Sequence, residues 1–292
     1  MVTPTAHNGP MSLAPTVPDA EDFRALARSS PWRWRTVRFT AQWTGPYSDG
    51  PVRAWIERPN RIRVETLDGR ELLDERQVVG SSTGFLIAFD AEALAREPEL
   101  ADPAYRARTA GDRYREEQSR RLAEMVIDDA GLVRRRTTDR DDHDAPMYQN
   151  YHWVAMLDPL ELADGQHDQD DPDALAALVA GEVVAGTAIE EVRAVEHEGR
   201  PAWEAVLRTT PAYDPRCACC ALLPGEVADL AEDRRSRAGA YADAYRVRLD
   251  VGTGICVFTE ELGGEHAGAG HHVRIESAGQ TWGPEDPPWR TG

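Results

Sequence analysis

The stretch Val52–Thr66, VRAWIERPNRIRVET, decides how the chain is read. Val52, Ala54 and Ile56 alternate with Arg53, Trp55 and Glu57, and Ile62 and Val64 alternate with Arg61, Arg63 and Glu65. A period of two places successive side chains on opposite faces of a strand. Arg58-Pro59-Asn60 interrupts both runs, because proline cannot donate to a ladder and asparagine favours turns. The pattern predicts two antiparallel strands joined by a tight turn, one face apolar and the other rich in arginine.

The same period extends outward. In TVRFTAQWT (36–44), Val37, Phe39, Ala41 and Trp43 form the apolar set. ELLDER (71–76) continues the meander, and QVVGSSTGFLIAF (77–89) is read as a further strand segment. Later, AIEEVRAVEHEGRPAWEAVLRTT (188–210) predicts a hairpin turning at Glu198-Gly199-Arg200. YRVRLDVGTGICVFTEELGG (245–264) and HHVRIESAG (271–279) close the chain as strands. Arg61, Arg63, Arg246, Arg248 and Arg274 then share one wet face, with Glu65 and Glu276 as partners.

Helical periods lie between these runs. AEDFRALARSS (20–30) groups Phe23, Leu26 and Ala27 on one side behind a capping Asp19 or Asp22. Segments 90–125 and 172–181 have helical spacing, and GEVADLAEDRRSRAGAYADAY (225–245) carries another helix. The expected fold class is α+β, with an antiparallel sheet and one domain over residues 19–283. Residues 1–18 read as a disordered Pro/Thr-rich arm, and 284–292 as a flexible tail.

Composition narrows the work such a fold can do. All 33 basic residues are arginine, against 51 acids, for a formal charge of −18. A chain this acidic is repelled by phosphate backbones and anionic surfaces, so nucleic acid is not an expected partner. The absence of lysine excludes Schiff-base and lysine-nucleophile chemistry. No apolar run reaches the roughly 18 residues of a membrane span, so membrane insertion is not expected. The N-terminal stretch has neither the basic nor the apolar region of a secretory signal, and four cysteines fit a reducing compartment. The expected location is cytoplasmic.

The strand–turn–strand pairs VRAWIERPNRIRVE and YRVRLDVGTGICVFTEE, following an N-terminal helix that leads into an aromatic strand, resemble the LolA- and LolB-like lipoprotein-carrier superfamily. The resemblance covers about half the chain. It implies a strongly curved half-barrel sheet wrapped around helices, with an apolar concave face for acyl chains. Members of that family are exported, whereas this chain shows no signal. Its thiol cluster and the arginine-rich segment after Asp90 also depart from the family pattern.

Two groups of residues carry candidate chemistry. NYHWVAMLDPLELA (150–163) places Tyr151, Trp153, Met156, Leu157 and Leu160 between two acidic stretches, 137–146 and 164–173. These residues can fill the core, or line a concave face that takes a hydrophobic small molecule, an acyl chain or a protein partner. The second group is YDPRCACCALLPGE (213–226), with Cys217, Cys219 and Cys220 in four positions. Three readings stand: small side chains packing a loop, a redox switch, or thiolate ligands for zinc. The fourth zinc ligand would come from Cys256, His271 or His272. For a redox switch, the expected bridges are Cys217–Cys220 or Cys219–Cys256. Arg216 can activate a neighbouring thiol.

No nucleophile elbow, phosphate loop, dinucleotide fingerprint or metalloprotease helix occurs, so an enzyme is not expected. The leading expectation is a non-catalytic binding protein with an apolar concave face. The alternative is a cytoplasmic regulatory or sensor protein that uses the Cys217–Cys220 cluster for metal binding or redox response, with no other cofactor.

Overall fold

The computed structural model describes residues 17–45, 50–76, 125–136, 145–166, 183–231 and 240–279. The segments expected at 77–89, 90–124, 137–144 and 167–182, the arm before residue 17 and the tail after 279 lie outside the described residues.

The Val52–Thr66 reading holds. Strands β1 (Thr36–Thr44), β2 (Val52–Glu57), β3 (Arg61–Thr66) and β4 (Glu71–Arg76) form an antiparallel meander. Strands β7 (Thr187–His197), β8 (Arg200–Thr209), β9 (Ala244–Asp250), β10 (Cys256–Leu262) and β11 (Gly270–Gly279) form a second run. β1 pairs with β11 and merges both runs into one nine-stranded sheet, ordered β4-β3-β2-β1-β11-β10-β9-β8-β7. Among the described residues the sheet is open, ending at β4 and β7. Two short strands, β5 (Val126–Ile127) and β6 (Val133–Arg135), pair separately.

The register carries the alternation across the sheet. Ile62 pairs with Ile56 and Ile56 with Val37, while Val64, Ala54, Phe39 and Ile275 form the next row. Thr259, Val247 and Ala205 continue the same face toward β8. All of these are buried. The opposite face carries Arg38, Arg53, Arg63, Glu65, Arg248 and Glu204, as the sequence pattern predicts. Arg63 pairs with Glu65, Arg246 with Glu260, and Arg248 with Glu204. Glu276 pairs with Arg38 and Arg53 across β1 and β2, not with its own strand's Arg274.

Helices cover the apolar face. Helix α1 (Ala20–Arg33) starts at a capping box in which Asp19 accepts from the Asp22 N–H and Asp22 accepts from the Asp19 N–H. It buries Phe23, Leu26 and Ala27. Helix α2 (Tyr151–Leu157) is capped by Asn150 and runs into a 3-10 turn, Leu160–Leu162. Ser30 of α1 donates to the Leu157 carbonyl at 2.7 Å, and Arg28 bonds Asp164 at 2.8 Å. These contacts fix α2 and the 3-10 turn beneath α1. A second 3-10 turn, Ala218–Cys220, and helix α3 (Glu226–Ala231) follow β8.

Candidate functional site

The segment from the end of β8 (Thr209) to the start of α3 (Glu226) folds around one carboxylate. Glu161, only 2% exposed, sits in the 3-10 turn after α2. Its side chain accepts from the Tyr213 hydroxyl at 2.6 Å, the Leu222 N–H at 2.9 Å and the Arg216 N–H at 3.3 Å. Tyr213 in turn accepts from the Leu223 N–H at 3.1 Å. A buried carboxylate is tolerated only when hydrogen-bond donors replace its water. Here the donors come from both ends of the loop, so the loop is closed around it.

A second buried acid holds the same loop. Asp158, at the end of α2, is fully buried and bonds Arg216 at 2.8 Å and Arg136 at 3.1 Å. Arg216 also donates to the Asp158 backbone carbonyl at 2.8 Å, and Arg136 to the Arg28 carbonyl. Burial pushes the Asp158 carboxyl up, but the two guanidiniums outweigh it and hold its pKa at about 2. Arg136 lies over the Trp32 ring, which shields the pair further.

The thiols project from this clamped loop. The Sγ atoms of Cys217, Cys219 and Cys220 lie within 4.8 Å of one another. Cys217 and Cys219 are in direct sulfur contact at 2.8 Å. Cys219 is exposed and the other two are half-buried. Partial burial raises the Cys217 thiol, but hydrogen bonds from the side chains and N–H groups of Cys219 and Cys220 bring it below the ordinary value. Burial and the Cys217 sulfur push Cys220 up to about 12, partly opposed by the His152 N–H. Three close sulfurs, one with its pKa lowered by its neighbours, make a soft-metal ligand set or a redox-reactive group.

The fourth ligands considered from sequence lie elsewhere. Among the described residues the cluster ends at three. Cys256 is buried in β10 with its sulfur toward the Phe258 carbonyl, and burial raises its pKa strongly. His271 is buried and committed: its Nε2 meets the Cys256 carbonyl at 2.9 Å, and its Nδ1 meets His152 at 3.0 Å and Thr259 at 3.1 Å. Burial, then the neighbouring His152, holds its pKa well below the ordinary value. His272 stands on the opposite face beside Glu198.

The apolar candidates have a different setting. Trp153, Met156, Leu157 and Leu160 are all buried, and Tyr151 is half-buried. Trp153 packs against Phe39 at 5.2 Å, Tyr148 at 5.3 Å and Trp43 at 6.1 Å between ring centroids. Its indole N–H donates to the Pro146 carbonyl. A groove of about 330 Å³ does open at the β3–β4 edge, but it is lined by Arg61, Glu71, Asp74, Glu75 and Arg76. Charge, not apolar surface, lines it.

Sequence reading found the thiols and missed what holds them. Glu161 and Asp158 are acids inside an apolar run, MLDPLELA, and that misfit was the available signal. Compared with family models, curated proteins and solved structures, the chain matches none.

Proposed function

We propose that the chain is a non-catalytic binding protein whose Cys217–Cys219–Cys220 loop captures a soft metal ion, zinc being the ion to test first. The observation that carries this is three sulfurs within 4.8 Å on a loop fastened at both ends by Glu161 and Asp158. Zinc–thiolate bonds of about 2.3 Å in tetrahedral geometry separate sulfurs by about 3.8 Å. Opening the Cys217–Cys219 contact by roughly 1 Å of side-chain rotation meets that requirement. With three protein ligands the fourth position falls to water or a small exogenous ligand. Such an open site suits exchange and sensing better than structural locking.

The test is zinc titration of reduced, chelator-stripped protein with elemental analysis of the loaded form. One equivalent of zinc, a raised melting temperature and loss of both in Cys219→Ser support the reading. Substoichiometric zinc after loading defeats it.

A second reading rests on Trp43 and Tyr148, which stay half-buried where Trp43 stacks on Trp153 and Tyr148 meets it edge-on. On this reading the sheet curls into a LolA-like half-barrel, and the aromatic rim receives a hydrophobic small molecule, an acyl chain or a protein partner. Stoichiometric binding of an apolar fluorescent probe with quenching of tryptophan emission supports it. Probe binding that appears only on unfolding refutes it.

A further inference from the structure

The same loop is built for a second chemistry. We infer that Cys217 and Cys219 form a modification site for hydroperoxides, closing into a Cys217–Cys219 disulfide. The inference deepens the metal-site reading but does not require a metal for its own reaction.

Three observations select this pair. The two sulfurs already touch at 2.8 Å, so bonding at about 2.0 Å needs only a small approach. Cys217, the sulfur that meets the peroxide, is half-buried and still reached by a small oxidant, and its resolving partner Cys219 is exposed. The loop cannot easily carry the sulfurs apart, because Glu161 grips Arg216 on one side and Leu222 on the other. The alternatives are less suited. Cys256 is fully buried in β10 and outside the sulfur cluster. A bond between the adjacent Cys219 and Cys220 forces a strained ring. Cys220 also bonds the Cys217 sulfur, but its own sulfur is held by the His152 N–H at the start of α2.

The reaction balances with a hydroperoxide as oxidant. The Cys217 sulfur attacks the terminal oxygen of ROOH and the O–O bond breaks; the thiol proton ends on the departing alcohol, leaving Cys217 as a sulfenic acid. The Cys219 sulfur then attacks the Cys217 sulfur, and the hydroxyl leaves as water with the Cys219 proton. Two thiols are oxidised and one peroxide bond is reduced. On the metal-site reading, the disulfide removes two of three ligands and releases the ion.

The experiment treats reduced, metal-free full-length protein with equimolar hydrogen peroxide. Free thiols are alkylated, disulfides are then reduced and alkylated with a second reagent, and peptides are mapped by mass spectrometry. The expected result is an intramolecular bridge with the second label on Cys217 and Cys219 and the first on Cys220. Cys219→Ser should stop at a sulfenic acid on Cys217, trapped by dimedone, while Cys220→Ser should still close the bridge. If circular dichroism shows Cys219→Ser unfolded, Cys220→Ser carries the test alone. A Cys217–Cys220 bridge, an intermolecular bridge, or thiols left intact overturns the inference. Zinc titration of the reduced protein separates the two claims. Zinc bound without the disulfide removes this inference and keeps the site, and a disulfide without zinc binding does the reverse.

Discussion

Two arginine–carboxylate clusters use the same chemistry in opposite surroundings. On the outer face of the sheet, Arg63 meets Glu65, Glu71 and Asp74. Beneath the thiol loop, Asp158 meets Arg136 and Arg216 with all three side chains at 3% exposure or less. The outer cluster is local, joining neighbouring positions of β3 and β4. The buried one joins the segment after β6, the end of α2 and the loop after β8. Location, not the number of ion pairs, decides what each contributes. Partly solvated pairs gain little because water already serves the charges. A buried pair is costly to assemble, and breaking it leaves a charge with no water to take the partner's place.

The sharpest way to break the comparison is Asp158→Asn. It leaves Arg136 and Arg216 without their shared counter-charge in a site closed to solvent, and should cost about 3–5 kcal/mol in urea unfolding. A loss below about 1 kcal/mol would place Asp158 in contact with water and erase the distinction between the clusters.

Glu161→Gln is the next step down, because it changes charge but keeps shape. Gln retains one acceptor oxygen for Tyr213 or Leu222 and turns its NH₂ toward donors that need an acceptor. The expected loss is about 1–3 kcal/mol. Zinc affinity should fall with it, since the loop's preorganisation depends on that carboxylate. An unchanged zinc affinity would show that the thiols hold their geometry without the clamp.

How much of this was legible in the sequence follows from the range of each contact. Alternation of Val52, Ala54 and Ile56 with charged neighbours is a local signal, and the sheet's apolar face could be read from it strand by strand. The pairing of β1 with β11 joins residues more than two hundred positions apart, and periodicity gives no information about such partners. The thiols were visible because three cysteines in four positions are conspicuous. Their clamp was not, because Asp158 and Arg216 are 58 positions apart and Glu161 and Leu222 are 61 apart. His152 and His271 meet across 119 positions. Trp153 and Met156 had two readings, core or cavity wall, because an apolar helix face has the same spacing in either role. Their complete burial is a property of packing against Phe39 and the sheet.

Acid extends the comparison to buried imidazoles. His271 folds neutral because of burial and the adjacent His152, and His197 because of burial, with His272 and Arg248 acting in the same direction. The Val273 carbonyl opposes part of the shift at His197. A folded pKa below the unfolded value of about 6.5 means the unfolded chain binds the extra proton first. Their contribution is therefore fully present above about pH 6.5 and is lost as pH falls toward the folded values. Each histidine should lower stability by about 1.4 kcal/mol per pH unit within its window. Asp158, with its pKa at about 2, adds its own loss only below about pH 4. Stability that is flat from pH 7 to pH 5 would mean that both imidazoles are solvated.

The smallest effect belongs to the outer face, and it tests the comparison from the other side. Arg63→Gln removes a guanidinium shared by three carboxylates, but its side chain is still 15% exposed and water can reach the cluster. The expected loss is at most about 1 kcal/mol, and it should shrink further in high salt. Arg274, 64% exposed and 3.9 Å from Glu198, has less to lose, and Arg274→Gln should stay within about 0.5 kcal/mol of the parent. The order of the two is the informative part. If Arg63→Gln costs several kcal/mol and the cost persists in high salt, the β3–β4 edge is covered in solution, and its cluster belongs with Asp158. If both variants fall within error of the parent, the arginine rows serve mainly to keep the outer face wet, and the energetic weight of charge in this protein lies beneath the thiol loop.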